Sequence, residues 1–436
     1  MNDEELIDEM VRRLGKELKG LLSQVRTGQV QAAAVELAMR ERLWHVGAQA
    51  MGVILEALDQ QLVSNRPAYD HRTRTVVSLF GPLDVTRSRC RDQDGWSYPL
   101  DEAMSLMGHR GWSVGVQEAV SLLSCESGFA TVSDLMARLL GVSISPSIVQ
   151  QVAESVGKGA QETLEAQVQG SDDADVSALA PQRDAIPDTL IIATDGCQAP
   201  QRDGWHEVKL ATLYPKASRC SSSRGRGKLL DKGYFATLEN AEQFGWALRA
   251  VGKAWGAQRV RRVVCMGDGA PWIWNLADFH FPGALEIVDF YHAAEHLWEV
   301  GEALWGDRHT SVATRAWVRR YRKYLKEGRT DLVIGAIERG WLGRQGRLCA
   351  KQVKTVRLNL AYFQRNRFRM RYGRFRQMKL PISTGAVEGA CKFVVQSRFK
   401  RAGMRWSRDG LGSMLALKLM RLNDRWELLW PHLNAA

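Results

Sequence analysis

Two aspartates in this chain each follow a short apolar run and precede a glycine. Asp195 comes after DTLIIAT and before Gly196, and Asp268 comes after RRVVCMG and before Gly269. A carboxylate at the exit of a hydrophobic strand is partly desolvated, and two such groups brought together repel each other unless a cation lies between them. Asp-Gly after a strand is also a common turn, so either aspartate alone would predict only a turn. The repetition favours a shared cation site, in which the two glycines leave room beside the ligands.

Glu388 is the third candidate ligand. It lies in PISTGAVEGACK, where its neighbours are small enough to admit a metal ion and a nucleic-acid backbone. A surface ion pair with Lys392, one helical turn away, is the simpler explanation of the glutamate, but it does not explain the small residues. Because Mg²⁺ prefers hard oxygen ligands and bridges phosphate oxygens, Asp195, Asp268 and Glu388 together predict a magnesium site.

The segment DFYHAAEHLW carries a further acidic residue and two histidines. His292 is predicted near the start of a helix, where it could hydrogen-bond an attacking group or a phosphate, or could instead support Asp289. Both interpretations stay open. The segment also places His292, Glu295 and His296 in the H-x-x-E-H spacing of inverted zinc peptidases. That short pattern leaves the two Asp-Gly sites unexplained, so a zinc peptidase is a minor alternative.

Positive charge is concentrated near Glu388. The net charge is +12, and thirteen Lys or Arg residues occur between positions 339 and 387 without a single acidic residue. Arginine pairs with phosphates and aromatic rings stack on bases, so nucleic acid is the expected partner, ahead of a membrane surface. The residues predicted to contact DNA are Arg365, Arg367, Arg369, Arg371, Arg374, Arg376, Lys392, Arg398, Lys400, Arg401, Arg405 and Trp406.

Three stretches of the chain together resemble the catalytic blocks of DDE transposases of bacterial insertion sequences. They are TDGCQAPQRDGWHEVKLATLY, GDGAPWIWNLADFHFPGALEIVDFYHAAEHLW and LPISTGAVEGACKFVVQSRFKRAGMRW. The nearest group is the ISKra-type family, which is related to the Mutator-like superfamily. The resemblance covers residues 187–430, and it is specific because the order Asp, Asp, Glu comes with long matching context.

The resemblance implies an RNase H-like fold in which Asp195, Asp268 and Glu388 are catalytic and hold two Mg²⁺ ions, for which Mn²⁺ is expected to substitute. Asp289 and His292 resemble the Asp-x-x-His signature of the Mutator-like group, with Asp289 in a supporting role and His292 as a further catalytic residue. The implied reaction is in-line attack on a phosphodiester by a water and later by a DNA 3′-hydroxyl, without a covalent protein nucleophile.

The implied enzyme is a transposase that cleaves DNA and transfers strands. Its partners would be double-stranded DNA, namely the terminal inverted repeats of the element and the target, and further copies of the chain in a homodimer or higher homo-oligomer. The main alternative is a repressor that retains the fold and DNA binding without catalysis.

The elements that would position these residues alternate between strand and helix. DTLIIAT, WHEVKLATLY, RRVVCMG and GALEIVD have the composition of strands, and the last two are separated by the helix-like PWIWNLADFH. This order predicts an α/β protein with a mixed sheet and flanking helices. Residues 310–378 lack strand signals and predict an all-helical insertion before the helix that carries Glu388.

The region before residue 171 is predicted to fold separately. Apolar residues recur every four positions up to residue 63, which indicates amphipathic helix for packing or self-association. Two strand-like runs flank Gly81-Pro82 and predict a hairpin. Residues 130–158 have the outline of a helix-turn-helix, which is either a DNA reader or a plain helical hairpin.

The composition fits two or three domains in a reducing cytoplasm. The 436 residues are 45% hydrophobic, enough for a sizeable core. The seven cysteines are scattered and never spaced as C-x-x-C, which argues against a disulfide framework and a zinc knuckle. An acidic N-terminus and the absence of an apolar run of about 18 residues predict a cytoplasmic, nucleoid-associated protein without a membrane span. The predicted regions are 1–63 (N-terminal helices), 64–170 (hairpin and helix-turn-helix-like), 171–188 (linker), 189–309 (first part of the catalytic core), 310–380 (helical insertion) and 381–436 (last part of the core).

Overall fold

The chain divides into two compact units. One comprises Met1–Gly159 with Glu427–Ala436, and the other comprises Ala160–Trp426. Most of the linker predicted at 171–188 lies outside the residues that the structure describes. None of the described helices is both long enough and apolar enough to span a bilayer. The computed structural model describes residues 3–64, 68–92, 95–106, 111–170, 179–180, 186–221 and 227–430.

The first unit contains helices and a three-stranded antiparallel sheet. The predicted hairpin is confirmed, with Ser78 opposite Gly81 at its turn. The predicted helix-turn-helix outline is also confirmed, and its first helix ends at Gly141, whose φ of 65° favours glycine. The elements up to the second unit's sheet are α1 (Asp3–Arg26), α2 (Val35–Leu62), β1 (Asp70–Ser78), β2 (Gly81–Asp92), β3 (Gly95–Ser97), α3 (Pro99–Ala103), α4 (Val114–Ser124), α5 (Phe129–Leu140) and α6 (Pro146–Gln169).

The second unit is built on a five-stranded mixed sheet with the order β10-β9-β4-β5-β8. The strands β4, β9 and β10 are parallel, whereas β5 is antiparallel to both β4 and β8. This arrangement, with helices flanking the sheet, is compatible with an RNase H-like fold. The strands are β4 (Thr189–Gln201), β5 (Gly204–Pro215), β6 (Arg219–Ser221), β7 (Gly227–Leu229), β8 (Gly233–Thr237), β9 (Arg262–Gly267) and β10 (Leu285–Val288), and β6 and β7 form a separate ribbon.

Helices follow the sheet strands and fill the predicted insertion. No strand occurs among residues 310–378, all of which the structure describes, so the strandless insertion is confirmed. The helices are α7 (Ala241–Ala254), α8 (Pro271–His280), α9 (Phe290–Trp305), α10 (Val312–Lys326), α11 (Thr330–Leu342), α12 (Ala350–Asn366), α13 (Tyr372–Gln377), α14 (Gly385–Ala390), α15 (Ser397–Phe399) and α16 (Arg408–Leu422), with a π-helical turn at Cys391–Gln396.

Alternation along β4 places its side chains on two different faces. Leu190 and Ile192 point into a hydrophobic core shared with Phe244 and Leu248 of α7. The opposite face carries the alternate positions of β4, including Asp195, and α14 packs on β4 and β5. The sheet therefore presents the first aspartate to the helix that carries Glu388.

Candidate active site

The three predicted carboxylates line one cavity. Asp195, Asp268 and Glu388 come from distant parts of the chain, and all three border a cavity of about 470 Å³. We call this the acidic cavity. Its other lining residues are Asp289, Tyr291, His292, Ala294, Glu295, Trp298, Arg322 and Thr384.

Asp195 lies within a strand and not at the strand end that the sequence predicts. The parallel pairing of β4 with β9 stops at Ala193, but β4 continues because β5 pairs with it, with Asp195 opposite Leu210. The backbone N–H of Gly196 donates to Asp195 Oδ1 at 2.8 Å, and the Cys391 thiol approaches Oδ2 at 3.7 Å. The sheet thus holds this carboxylate by its own backbone.

The environment of Asp195 disfavours its charge. Burial raises the pKa of Asp195 to about 6, and the negative charges of Asp268 and Glu388 raise it further toward that value. Carboxylates that repel each other in one cavity are a setting that a divalent cation would relieve. The residues therefore fit the predicted magnesium by their chemistry.

Asp268 lies directly after β9, as the sequence predicts. Its Oδ1 accepts a hydrogen bond from the backbone N–H of Ala270 at 2.9 Å, and its carbonyl oxygen accepts one from the Tyr362 hydroxyl at 2.9 Å. Gly269 has a φ of 107°, and a Cβ added there would lie 2.5 Å from Tyr362 Cε2. The glycine therefore makes room for a tyrosine of the insertion, whereas the sequence predicted room for a metal ion.

Gly196 has a similar role beside Asp195. A Cβ at this position would collide with the side chain of Glu207 on β5, whose carboxylate accepts a 2.8 Å hydrogen bond from Lys209 Nζ. The space beside both glycines is thus occupied by side chains of the protein.

Glu388 is an exposed residue of α14. Its Oε1 accepts a hydrogen bond from the Thr384 hydroxyl at 3.1 Å, one helical turn earlier. Glu388 and Lys392 are both described by the structure and form no ion pair with each other. The surface ion pair with Lys392, the simpler explanation for this glutamate, therefore does not form in the structure.

Asp289 joins two elements that border the acidic cavity. It is 1% exposed and caps α9, with Oδ1 accepting from the backbone N–H of His292 at 2.6 Å. Its Oδ2 accepts from the backbone N–H of Thr384 at 2.5 Å and from the Thr384 hydroxyl at 3.0 Å. Because Thr384 also bonds Glu388, this buried aspartate positions the start of α14, the helix that carries the third carboxylate.

The H-x-x-E-H spacing does not form a zinc-peptidase arrangement. The rings of His292 and His296 lie 4.9 Å apart, but His296 Nδ1 is 2.6 Å from Asn359 Oδ1 and burial lowers the pKa of His296. The glutamate that would act as base, Glu295, pairs with Arg308 at 3.1 Å. The exposed His292 ring lines the acidic cavity while its backbone is capped by Asp289, so both interpretations of His292 remain compatible with the structure.

The carboxylates are near one another without forming a complete metal site. Among the described residues, no three His, Cys, Asp or Glu side chains are grouped closely enough to hold an ion. Asp195, Asp268 and Glu388 would be the ligands of a metal in the acidic cavity.

Most residues predicted to contact DNA are accessible. Nine of the twelve cationic and aromatic positions are exposed, on the end of α12, on the segment that follows it and around α14. The exposed residues are Arg365, Arg367, Arg371, Arg374, Arg376, Lys392, Lys400, Arg401 and Arg405.

The other three positions are buried or partly buried, which corrects the sequence prediction. Arg398 is 0% exposed, with its guanidinium 5.0 Å from the Trp406 ring, and Trp406 is 6% exposed, with Nε1 donating to the Phe399 carbonyl at 3.1 Å. Arg369 pairs with Glu286 at 2.6 Å. A basic run that winds through short helices turns some of its residues inward, so Arg398 and Trp406 are not available to DNA in this structure, and Glu286 compensates the charge of the partly buried Arg369.

Three further residues act at the site without having been predicted. Thr384 bonds both Asp289 and Glu388, Tyr362 packs on Gly269, and Cys391 approaches Asp195. The four-residue spacing from Thr384 to Glu388 could have revealed the first. The other two depend on contacts between distant segments, for which the sequence carries no local signal.

Comparison with known proteins places the chain in a family. A family model described as "Uncharacterised protein family (UPF0236)" matches residues 29–308, a range that contains Asp195, Asp268 and Asp289 and ends before Glu388. The chain is also similar to the "UPF0236 protein in vanSb 3'region" of Streptococcus gallolyticus. The two are 22% identical over 418 residues, which cover 91% of this chain and 84% of that protein.

Proposed function

We propose that this chain, which belongs to the uncharacterised protein family UPF0236, is a DNA transposase of an insertion sequence. The observation that carries the proposal is the meeting of Asp195, Asp268 and Glu388 at one cavity of an α/β fold compatible with the RNase H-like class. The order of these residues and their sequence context resemble the DDE blocks of ISKra-type transposases. The proposed reaction is metal-dependent cleavage of DNA at the element ends, followed by strand transfer.

The residues of the chain have distinct roles in this reaction. Asp195, Asp268 and Glu388 would hold two Mg²⁺ ions. When bound, magnesium supplies Lewis acidity for in-line displacement at a phosphodiester. Asp289 and Thr384 position Glu388, and the exposed His292 ring can hydrogen-bond a phosphate or the attacking group at the cavity.

The proposed substrate follows from the charge of the accessible surface. The nine exposed arginines and lysines at and after α12 are suited to the phosphates of double-stranded DNA. The DNA would be the terminal inverted repeats of the element and its target. Because two ends must be joined in one complex, we propose a homodimer or larger assembly that acts on the nucleoid in the cytoplasm.

Cleavage of DNA tests the proposal. With DNA that carries the ends of the element, we expect Mg²⁺-dependent nicking by the wild-type protein and a loss of at least about 100-fold in Asp268→Asn, since a ligand of the proposed metal is removed. Asp278→Asn, an exposed aspartate on α8, is the matched control and should cleave like the wild type. Equal cleavage by wild type and Asp268→Asn would reject the catalytic role.

A non-catalytic repressor is the second candidate. It is favoured by the lack, among the described residues, of a complete three-residue metal group, since the exposed basic residues need no metal to bind DNA. Specific binding of the element ends by the wild-type protein, without Mg²⁺-dependent or Mn²⁺-dependent cleavage, would support this candidate.

A further inference from the structure

One face of α10 is strongly basic and lies outside the runs that the sequence singled out. Its sequence VATRAWVRRYRKYLK places cations four, seven, eight and eleven residues after Arg315. Such spacings bring side chains to one face of a helix. The basic residues of this face are Arg315, Arg319, Arg322, Lys323 and Lys326.

This face forms one wall of a cavity next to the acidic cavity. The second cavity has a volume of about 450 Å³ and lies between α9 and α10. All five basic residues line it, together with Phe290, Trp298 and Val318. We call it the cationic groove. Because Trp298 and Arg322 line both cavities, the cationic groove adjoins the acidic cavity.

The charges of the cationic groove are largely uncompensated. Arg319, Arg322, Lys323 and Lys326 are exposed, and none of the carboxylates in the described part of the chain pairs with them. The fifth, Arg315, donates to the carbonyl oxygens of Arg308 and His309 at 3.1 and 2.8 Å.

A nearby arginine, Arg308 on the loop between α9 and α10, does have acidic partners. Arg308 pairs with Glu302 at 2.6 Å and with Glu295 at 3.1 Å. Cations gathered on one face without counter-charges create a positive potential that attracts an anion.

We propose that the cationic groove binds the phosphate backbone of the DNA strand beside the bond to be cleaved. This inference rests on the proposed function, because that function makes DNA the substrate of the acidic cavity. Three carboxylates repel a phosphodiester, so a polyanion needs compensating cations close to them. The shared wall at Arg322 and Trp298 supplies that proximity, and a strand lying along the cationic groove places one of its phosphates at the acidic cavity.

Two matched pairs of lysines test the inference. Lys323 and Lys326 are exposed and three residues apart on α10, and Lys351 and Lys354 are exposed and three residues apart on α12, outside both cavities. The double variants Lys323→Gln/Lys326→Gln and Lys351→Gln/Lys354→Gln therefore have the same net charge and the same substitutions. Binding of a 20-base-pair DNA duplex of arbitrary sequence is measured over a salt series in EDTA, because phosphate contacts do not depend on base sequence.

We expect DNA binding by the α10 glutamine variant to depend less steeply on salt than wild-type binding, and binding by the α12 glutamine variant to keep the wild-type dependence. Each lost phosphate contact lowers the magnitude of the slope of log K against log salt by about 0.9, so the α10 pair should lower it by about 2 and weaken binding about 10- to 100-fold at 0.1 M salt. Lys323→Arg/Lys326→Arg keeps the charge and should retain the wild-type slope, with thermal melts to verify folding. Equal slopes for the two glutamine variants would overturn the cationic groove as the DNA track.

The binding test of the cationic groove can succeed or fail independently of the cleavage test of the proposed function. Binding in EDTA requires no catalysis, so an α10-specific change in slope supports the cationic groove even if the wild-type protein never cleaves DNA. Conversely, cleavage that depends on Asp268, combined with equal slopes for the two lysine pairs, leaves the proposed function intact and rejects this route for the DNA.

Discussion

Asp195 differs from Asp268 and Glu388, the other two proposed metal ligands, because it lies inside a strand. Asp268 follows β9 and Glu388 is exposed on α14, whereas Asp195 is hydrogen-bonded within a sheet and partly buried. Burial, and then the charges of Asp268 and Glu388, raise its pKa to about 6. In the metal-free protein this side chain therefore binds its proton more tightly than in the unfolded chain, whose carboxyl has the ordinary pKa near 3.8.

This difference predicts how stability changes with pH. Between the unfolded and folded pKa values the folded state holds the extra proton, so Asp195 favours folding below about pH 4 and loses that contribution as pH rises through about 6. In metal-free buffer, we expect the free energy of unfolding of the wild type, relative to Asp195→Asn, to fall by about 2 kcal/mol from pH 4 to pH 7 after allowing for solvent screening. Urea unfolding measures it, and a difference that stays constant with pH would contradict the raised pKa.

The start of α9 and the loop before α14 are joined by one buried side chain. Asp289 accepts three hydrogen bonds, from the backbone of His292 and from the backbone and hydroxyl of Thr384. Phe290 adds a backbone hydrogen bond to the carbonyl of Ile382 at 2.9 Å. The helical insertion begins after α9, and the chain returns to the core at this loop. The hydrogen bonds of Asp289 therefore connect the two ends of the insertion beside Glu388.

Substitution of Asp289 or Thr384 should lower the free energy of unfolding. Asp289→Ala removes a helix cap and leaves a buried backbone N–H of Thr384 without its acceptor, so we expect a loss of about 2–4 kcal/mol in the free energy of unfolding. Thr384→Val keeps that N–H and removes only the hydroxyl, so it should lose about 1 kcal/mol. Urea unfolding compares the two variants. If Thr384→Val were as destabilising as Asp289→Ala, the carboxylate would not be the main connection.

Sequence patterns predicted some elements of the second unit and missed others. The helix α8 was predicted from its first residue to its last, and the start of α9 was predicted near His292. The short β8 and the helix α7 were not predicted, although Asn240 caps α7 and Phe244 and Leu248 recur at helical spacing. The position of Asp195 was misjudged because only the pairing with β5 carries β4 beyond it.

The whole molecule places opposite charges side by side within its second unit. A net charge of +12 is combined with a cavity lined by five carboxylates, and this cavity shares Trp298 and Arg322 with the cationic groove. The sequence located the three acidic residues because each follows an apolar run or lies among small neighbours. It could not show which arginines face outward, since Arg398 and Arg401 belong to one run and only Arg398 is buried. The basic face of α10 was not predicted because it lies before the acid-free stretch 339–387.

Metal binding by the three carboxylates is the most direct test of the proposed site. Mn²⁺ can be titrated into the protein with a 20-base-pair DNA duplex present, and the bound fraction followed by electron paramagnetic resonance. We expect the wild type and Asp278→Asn to bind alike, and Asp195→Asn, Asp268→Asn and Glu388→Gln each to weaken binding by at least about 10-fold, because each removes one charged oxygen ligand. Unchanged binding in all three variants, or no binding by the wild type, would contradict a metal site in the acidic cavity.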